Sequence, residues 1–342
     1  MPVKITGSLR RPTRLLITGA SGLLGLNLAL TTTGIPPLSE AVEPVANEQS
    51  FEVYGVTHHH PLDQVPFHAL QADLLERGAL EWLLDTVQPD WVIHCAALAN
   101  LDDCEADSQL AHRLNAEIPG KLAALVAKGG ARVKPIRLAH ISTDAVFDGV
   151  RGDYGEADTP NPLSVYAQTK LAGEQAVLAA NPQAIVARVN LFGWSLMGRR
   201  SLAEFFVNNL SSGKGVMGFT DVYFCPLLAN DLAGVLLQML ANGLSGLYHV
   251  VSREATSKYH FGVAVARRFG LDESLITPTL VADSGLTARR SPNLTLRTDK
   301  LRTALSETPG FVLPSWQEGL GRFYGLYQSG YPQIIKGMAA KS

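Results

Sequence analysis

A tyrosine and a lysine stand four residues apart near the middle of the chain, in the sequence Tyr166-Ala-Gln-Thr-Lys170. They open a run of helix-forming composition, Val165 to Ala180, so both side chains are expected on one helical face, with their Cβ atoms roughly 5–6 Å apart. An ammonium group beside a phenol stabilises the phenolate and thereby lowers the pKa of the phenol from about 10. Tyr166 could then exchange a proton with a carbonyl or alcohol oxygen while a hydride moves at the carbon. Thr143, just after the apolar strand Leu138 to Ile141, could supply a second hydroxyl to the same oxygen.

The elements that must position this pair begin with a glycine-rich turn, because a tyrosine–lysine pair alone also arises by chance on many helices. An apolar strand, Arg14 to Thr18, leads directly into Gly19-Ala-Ser-Gly-Leu-Leu-Gly25 and then into a helical pattern. This arrangement places free backbone N–H groups and the positive end of a helix dipole where a pyrophosphate could bind, and a Cβ would hold the phosphate away. The alternative is an ordinary tight turn. We expect a dinucleotide, held by Gly19, Ser21, Gly22, Leu23, Leu24 and Gly25.

The end of the second strand, Phe51 to Val56, bears on which dinucleotide binds. In NAD-binding folds this strand commonly ends in an acidic residue that bonds the ribose 2′-hydroxyl. Here the sequence is Thr57-His58-His59-His60, without a carboxylate, so NADP(H) is favoured over NAD(H). Three histidines in a row could also suggest a metal site. Adjacent side chains diverge and Pro61 ends the run, so no metal is expected.

The next two strands supply further expected cofactor contacts. Leu70 to Leu74 is interpreted as the end of the third strand, with Asp73 accepting from an adenine amino group or, alternatively, capping the following helix. The fourth strand, Trp91 to Cys95, precedes small residues that would let a cofactor approach the backbone. The contacts expected from this region are Asp73, Leu74, Ala96, Ala97 and Ala99.

Strands alternate with helices as far as a sixth strand, Ala184 to Val189, which predicts an α/β fold with a parallel, doubly wound Rossmann-type sheet. Ligands of such sheets bind beyond the carboxyl ends of the strands, where Thr18, Thr57, Ala96 and Thr143 fall. We predict a nucleotide-binding domain carrying the catalytic residues over 13–190 and a smaller, mainly substrate-binding lobe over 191–330, with exchange of segments between them allowed. Residues 32–50 are interpreted as a surface insertion.

Composition excludes several classes of function. The chain has 342 residues, and 29 basic against 31 acidic residues leave a net charge of −2, which offers no electrostatic footprint for nucleic acid or an anionic membrane. It contains no apolar run of the roughly 20 residues that a membrane span needs, and no apolar signal-peptide core follows the basic N-terminus. A cytoplasmic protein is expected. Three widely spaced cysteines suggest neither a disulfide framework nor a thiolate metal site.

Taken together, the motifs resemble the extended short-chain dehydrogenase/reductase family, and within it the dTDP-4-dehydrorhamnose reductase group. The likeness runs over about residues 13 to 325. It is carried by Thr18 to Gly25, by Ser142-Thr-Asp144 with Val146-Phe-Asp-Gly149, by Tyr166 to Glu174, and by Ala288 to Leu296 with Lys300-Leu301.

The resemblance implies a catalytic set of Thr143, Tyr166 and Lys170, in which Lys170 also bonds the nicotinamide ribose. Asn115 would match the asparagine that members use near a proton-relay water. The reaction would be reduction of a 4-keto group on a nucleotide-linked 6-deoxyhexose, with hydride from the nicotinamide and a proton from Tyr166. Substrate contacts are expected from Asp144, Ala145, Val146 and Asn190.

Two positions depart from the pattern of the group. Its reductases commonly have a tyrosine after the Ser-Thr-Asp triplet and a tryptophan after the sixth strand, where this chain has Ala145 and Leu191. The identity of the sugar is therefore open, although the redox residues are intact. The group also resembles the regulatory β subunit of methionine adenosyltransferase, a binding protein. A sugar epimerase, another carbonyl reductase and a non-catalytic cofactor-binding subunit remain alternatives, and a homodimer is a further expectation.

Overall fold

The computed structural model describes residues 11–35, 50–129, 135–284 and 291–340. In this part of the chain the strands are β1 (Thr13–Thr18), β2 (Phe51–Thr57), β3 (His68–Gln71), β4 (Trp91–His94), β5 (Arg137–Thr143), β6 (Ile185–Val189), β7 (Leu191–Phe192), β8 (Val216–Phe219), β9 (Tyr223–Phe224), β10 (Leu227–Leu228), β11 (Gly246–Val250), β12 (Thr256–Ser257) and β13 (Ile276–Thr279). The helices are α1 (Leu23–Thr32), α2 (Ala79–Val87), α3 (Leu101–Ala106), α4 (Ser108–His112), α5 (Ile118–Lys128), α6 (Val165–Ala180), α7 (Leu202–Ser211), α8 (Ala229–Ala241), α9 (Lys258–Phe269), α10 (Asp299–Ala304), α11 (Trp316–Gln328) and α12 (Tyr331–Gly337).

Seven of these strands form one parallel sheet in the order β11-β6-β5-β4-β1-β2-β3. The order reverses at β1, so the carboxyl ends of β1 and β4 flank a crevice of the kind in which doubly wound sheets bind ligands. The predicted Rossmann-type fold is confirmed. β11 pairs with β6 although it follows residue 190, so a late segment contributes to the main sheet. The division of the chain near residue 190 stays a prediction.

The sheet is covered on both faces, which explains why its strands are nearly continuous apolar runs. Side chains of α1 and α8 pack on one face in a cluster that includes Leu28, Leu232 and Leu236. Side chains of α2, α5 and α6 pack on the other face, where Leu83 and Val177 are buried. The two layers fix α1 and α6 against the strands whose ends they flank. The first of these helices begins at the glycine turn and the second begins at Val165, next to Tyr166.

A second core is rich in aromatic side chains that follow residue 190, namely Phe192, Trp194, Phe206, Phe261 and Phe323, and it also includes Leu26 and Leu30 of α1. The late part of the chain bonds to an earlier loop as well. The backbone after residue 291 bonds to the loop that follows the Ser-Thr-Asp triplet, through Asn293 N–H to Gly149 O and Tyr154 N–H to Thr295 O, both at 3.0 Å.

Two sequence-based expectations fall largely outside the described residues: the insertion over 32–50, of which 36–49 are not described, and the start of the late motif, 288–290. In the part of the chain that is described, no helix combines the length and the apolarity that crossing a bilayer requires.

Candidate active site

The glycine turn is shaped by the approach of two stretches of backbone. Gly19 has φ +71°, a conformation that L-residues with a Cβ rarely adopt, and a Cβ there would lie 2.8 Å from the backbone nitrogen of Ala96. A Cβ on Gly25 would lie 2.2 Å from the carbonyl oxygen of Gly19. At these two positions glycine is therefore required by the packing of the protein itself. Gly22 is the most exposed of the three glycines, and packing does not explain it, so the predicted reason for a glycine, room for a phosphate, applies to Gly22.

The start of α1 suits an anion. Its N-cap, Gly22, makes no side-chain capping bond, and the first turn contains no acidic residue. The first backbone N–H groups of a helix have no intrahelical acceptor, so those of Leu23 and Leu24 are available to a ligand beside the exposed Gly22 and the partly exposed Ser21. The side chain of Leu24 is buried, which leaves only its amide for contact. These features fit the pyrophosphate of a dinucleotide.

The region expected to receive the adenosine differs from the prediction in one respect. β3 ends at Gln71, so Asp73 and Leu74 lie beyond the strand, in a turn where Asp73 Oδ1 accepts from the N–H of Leu75 at 2.9 Å. The helix-cap alternative for Asp73 is wrong, because α2 begins only at Ala79. Asp73 Oδ2 lies 3.9 Å from Nε2 of the exposed His58, so a carboxylate does stand near the end of β2, contributed by a later residue.

The remaining residues at this end of β2 stay close to their predicted positions. Thr57 is buried at the strand end, and its hydroxyl donates to Leu70 O at 3.4 Å. The rings of His58 and His59 lie 3.7 Å apart between centroids. Among the described residues, no three His, Cys, Asp or Glu side chains are grouped as metal ligands would be.

Asn115 holds the segment that follows β4. Its amide forms a two-way bond with Leu98, with Oδ1 accepting from the N–H and Nδ2 donating to the carbonyl, both at 2.9 Å. Nδ2 also donates to Thr169 of α6 at 3.1 Å. Asn115 lies in a π-helical turn, a feature frequent at functional sites. The neighbouring Ala97 and Ala99 are exposed and Ala96 is partly exposed, so the segment can receive a ligand. A role for Asn115 beside a relay water stays a prediction.

Thr143 and Tyr166 meet at the end of β5. The hydroxyl of Thr143 is a hydrogen-bonding neighbour of the Tyr166 phenol, and Thr143 Oγ1 donates to Asp144 Oδ1 at 3.1 Å. Burial raises the pKa of Tyr166 to about 12; the hydrogen bond from Thr143 opposes the rise, and the nearby Asp144 and Cys104 add to it. The expectation that Lys170 lowers this pKa is wrong for the protein without ligands, because burial and a neighbouring carboxylate outweigh an ammonium group that faces elsewhere.

Lys170 is buried one turn further along α6, with 3% of its surface exposed. Its Nζ donates to the carbonyl oxygen of Ile141 at 2.6 Å. Burial lowers the pKa of Lys170 to about 8, an effect that the charge of Glu174 and then that of Cys95 oppose. Its own charge acts on two buried histidines of neighbouring strands, His94 and His140. The pair predicted from the sequence therefore shares a helix face, but its two members have different surroundings.

A buried ion pair fixes this face of α6, and it was not identified from the sequence. Glu174 accepts from Arg188 of β6, with Nη2 to Oε2 at 2.7 Å, and from the hydroxyl of Ser142 at 2.6 Å. Both charged side chains are almost fully buried. The available signal was the position of Glu174, four residues after Lys170 on the same helix face.

The residues expected to contact substrate fall into two groups. Ala145 and Asn190 are partly exposed beside Thr143, as is Leu191. Asp144 is buried, and its Oδ2 accepts from Asn190 Nδ2 at 2.6 Å. Val146 is 0% exposed in an apolar cluster with Phe147 and Leu296, so contrary to the prediction it supports the turn and presents no surface to a ligand.

The site thus combines an anion-binding helix start, a buried lysine and a hydroxyl pair at neighbouring strand ends, and comparisons with known proteins agree with this geometry. The family model of the RmlD substrate binding domain matches residues 13–329. The probable low-salt glycan biosynthesis reductase Agl14 of Haloferax volcanii is 34% identical over 280 residues, which cover 80% of this chain and 86% of that protein. The methionine adenosyltransferase 2 subunit beta of Danio rerio is 30% identical over 296 residues, 84% of each chain.

Solved structures show the same relationship. A dTDP-4-dehydrorhamnose reductase of Clostridium acetobutylicum superposes with a TM-score of 0.73 at 28% identity, covering 92% of this chain and all (100%) of that one. A dTDP-4-dehydrorhamnose reductase of Bacillus anthracis, solved in complex with NADP, shares the fold with a TM-score of 0.73 at 24% identity, over 92% of this chain and 99% of that one. The matched family model spans nearly the whole described chain, and the chain therefore belongs to the RmlD family, the dTDP-4-dehydrorhamnose reductase-like group of extended short-chain dehydrogenases/reductases.

Proposed function

We propose that this protein is an NADP(H)-dependent reductase of a nucleotide-linked 4-keto-6-deoxy sugar. The observation that carries the proposal is that Thr143, at the end of β5, and Tyr166 of α6 are neighbours. The same helix contains the buried Lys170, and the start of α1 is open to a ligand. A protein that only binds a dinucleotide has no need of a phenol and a hydroxyl arranged in this way. The reductase names of Agl14 and of the Clostridium acetobutylicum protein agree with the proposal.

The protonation state of Tyr166 suits reduction. When bound, the nicotinamide would supply a hydride to the carbonyl carbon of the substrate. A phenol with a pKa of about 12 keeps its proton at neutral pH and can give it to the carbonyl oxygen. Thr143 orients the phenol through their shared hydrogen bond, and Lys170 would hold the nicotinamide ribose. Burial of these groups keeps water away from the reacting oxygen.

The preference for NADP(H) rests on the end of β2, where Thr57 and His58 could accept a 2′-phosphate. Asp73 beside His58 opposes such an anion unless the imidazole lies between them, and the 3.9 Å contact is compatible with that arrangement. The structure of the Bacillus anthracis reductase with NADP supports NADP(H) in the family. The homodimer and the cytoplasmic location stay predictions.

A second candidate is a non-catalytic, cofactor-binding regulatory subunit. The identity of 30% to the methionine adenosyltransferase 2 subunit beta, over 84% of both chains, favours it. The partly exposed Ala145 and Leu191 agree with this alternative, because reductases of the group commonly have aromatic residues there.

The test is to mix the protein with NADPH and dTDP-4-dehydrorhamnose and to follow the loss of reduced-nicotinamide absorbance. We expect turnover by the wild type and a loss of at least about 100-fold in Tyr166→Phe, since a positioned acid contributes about that much. The control is Tyr54→Phe, which removes a phenol that donates to Glu52 at 2.7 Å, away from this site. Equal rates in wild type and Tyr166→Phe contradict the reductase proposal. A change in NADPH fluorescence without turnover supports the regulatory alternative.

A further inference from the structure

The hydroxyl of Thr143 links the phenol of Tyr166 to a buried carboxylate. It is a hydrogen-bonding neighbour of the phenol, on which it acts by lowering the pKa. Thr143 Oγ1 in turn donates to Asp144 Oδ1 at 3.1 Å, while it accepts the N–H of Ala145 at 3.2 Å. The hydroxyl of Thr143 has one proton, so it donates to Asp144 while the carboxyl is ionised and can donate to Tyr166 once the carboxyl carries a proton of its own. Asp144 Oδ1, on the far side of Thr143, can hold that proton.

Asp144 is buried, and its surroundings favour the protonated form of its carboxyl group. Its exposed fraction is 4%, and its second oxygen accepts from Asn190 Nδ2 at 2.6 Å. The titratable groups that face it are Tyr166 of α6, Lys258 at the start of α9 and Cys225, which precedes β10. Burial raises the pKa of Asp144 to about 6, against the hydrogen bonds from Asn190 and Thr143 and the charge of Lys258.

The phenol is coupled to this carboxylate more directly than to the lysine of its own helix. The charge of Asp144 raises the pKa of Tyr166. The charge of Lys170, by contrast, acts on His94, His140 and Cys95, and its Nζ bonds the Ile141 carbonyl. In the protein without ligands, the ionisable group next to the phenol along the hydrogen-bond chain is Asp144.

We propose that Asp144 supplies, through the Thr143 hydroxyl, the proton that Tyr166 gives to the substrate. In the reduction, the hydride forms the new C–H bond and the phenolic proton goes to the carbonyl oxygen. The Thr143 hydroxyl then gives its proton to the phenolate oxygen, and the Asp144 carboxyl gives its proton to Thr143 Oγ1. For this transfer the protonated carboxyl must donate to Thr143 Oγ1, so that the single Thr143 proton turns from Asp144 to the phenolate oxygen. One proton thus passes from the carboxyl group to the product alcohol, and solvent reprotonates the carboxylate. Asp144 acts through Thr143 and touches neither substrate nor cofactor.

This inference rests on the proposed reductase function, and the competing explanation is that Asp144 only orients Thr143. The two differ in their pH dependence. If Asp144 only orients Thr143, its replacement by asparagine lowers the rate by the same factor at every pH. If Asp144 is the proton source, the replacement also removes the part of the pH profile that follows the titration of Asp144.

The kinetic test measures kcat at saturating NADPH and dTDP-4-dehydrorhamnose between about pH 5 and about pH 8. We expect the wild-type kcat to fall above roughly pH 6 by up to about tenfold per unit. In Asp144→Asn, kcat should be flat over this range and at least about tenfold below wild type at the acid end, with the KM for NADPH unchanged. Thr143→Ser, which keeps the hydroxyl, should keep the wild-type profile. Parallel profiles of wild type and Asp144→Asn overturn the proposal.

A control carboxylate lies four residues further along the chain. Asp148 accepts from the hydroxyl of Tyr154 at 2.6 Å, and this bond, together with others from Val150 and Asn161, lowers the pKa of Asp148 to about 2. Asp148→Asn should leave the shape of the pH profile unchanged. A flattened profile in this variant as well overturns the assignment to Asp144.

An independent readout does not require turnover. The ¹³C carboxyl resonance of Asp144, identified as the signal lost in Asp144→Asn, should titrate near pH 6. Its midpoint should rise in Thr143→Val, because the hydrogen bond from Thr143 stabilises the carboxylate. A carboxylate still ionised at about pH 5, or a midpoint that Thr143→Val leaves unchanged, overturns the proton link. Absence of NADPH oxidation overturns the reductase function alone, so the two failures are distinguishable.

Discussion

His94 and His140 stand on adjacent strands of the main sheet and are almost completely buried, with ring centroids 5.5 Å apart. Nδ1 of His94 lies 2.7 Å from the hydroxyl of Thr18, and its Nε2 has no partner among the described residues. Burial, and secondly the charge of Lys170, lowers the pKa of His94 to about 3. Folding thus requires a neutral imidazole at this position, and acid should destabilise the protein here.

The direction and size of the effect follow from proton linkage. An unfolded histidine titrates near about 6.5, so the stabilising contribution of a depressed pKa is fully present above that pH and is lost as the pH falls from there toward the folded value. Between about pH 7 and about pH 5 the unfolded state gains a proton at His94 that the folded state does not bind. With a folded pKa of about 3, the difference amounts to about 2 kcal/mol of unfolding free energy.

The perturbation is His94→Asn, whose amide can keep the bond to Thr18 without a titratable ring. Urea unfolding followed by tryptophan fluorescence, at several pH values, gives the free energy of unfolding of each variant. We expect the wild type to lose about 2 kcal/mol more than His94→Asn between about pH 7 and about pH 5. Any cavity left by the smaller side chain lowers the free energy of unfolding by the same amount at every pH, so it does not affect this difference.

Other groups cancel from the comparison. Burial raises the pKa of Asp144 to about 6, so protonation of this carboxyl group at lower pH stabilises the folded protein, and it does so equally in both variants. The matched control is His112→Asn on α4, which removes an exposed imidazole and should leave the pH dependence unchanged. If the wild type and His94→Asn lose stability in parallel as the pH falls, the reasoning from burial is refuted.

Three further predictions concern binding and packing. Gly22→Ala should keep the fold, since its Cβ would approach only Gly19 O, at 3.1 Å, but it should weaken NADPH binding about tenfold or more. Fluorescence titration measures the binding, with Gly325→Ala as control, because a Cβ at this exposed helix position meets no other atom within 4 Å. His58→Glu should reduce NADPH affinity more than NADH affinity, by about tenfold, because it adds a carboxylate beside a 2′-phosphate; equal losses for both cofactors contradict the assignment. Glu174→Gln should lower the free energy of unfolding by about 3–5 kcal/mol, since it leaves Arg188 buried without its counter-charge, and denaturant titration will check this.

Local patterns predicted the elements that position the site. The helix Val165–Ala180 has the bounds expected from its composition, and its N-cap, Ser164, accepts from the Ala167 N–H, as serine commonly does at this position. The sequence Gly-Leu-Tyr-His-Val of Gly246–Val250 is typical of a strand. Its place at the edge of the main sheet does not follow from that sequence, because strand order depends on packing between distant segments.

The electrostatics of the site lay further from the sequence. Helical spacing brings Tyr166 and Lys170 to one face, but the pKa of the phenol is set by burial and by Asp144, which approaches from another element. Asp73 likewise lies near His58 from a turn beyond the end of β3, where the apolar pattern predicted a strand. Spacing along the chain therefore identified candidate residues, whereas their charges depend on neighbours that only the folded structure brings together.

The raised pKa of Tyr166 also bears on the choice between a reductase and an epimerase that first oxidises its substrate. Oxidation of an alcohol needs the phenolate as base, and with a pKa of about 12 its formation at about pH 7 costs about 7 kcal/mol, whereas reduction uses the protonated phenol that is already present. An epimerase would have to remove most of this cost when its ligands bind. We therefore expect oxidation of the alcohol product with NADP⁺ to accelerate about tenfold per pH unit between about pH 7 and about pH 9, while reduction does not accelerate over the same range. A pH-independent oxidation rate would show that ligand binding acidifies the phenol, and would favour the epimerase.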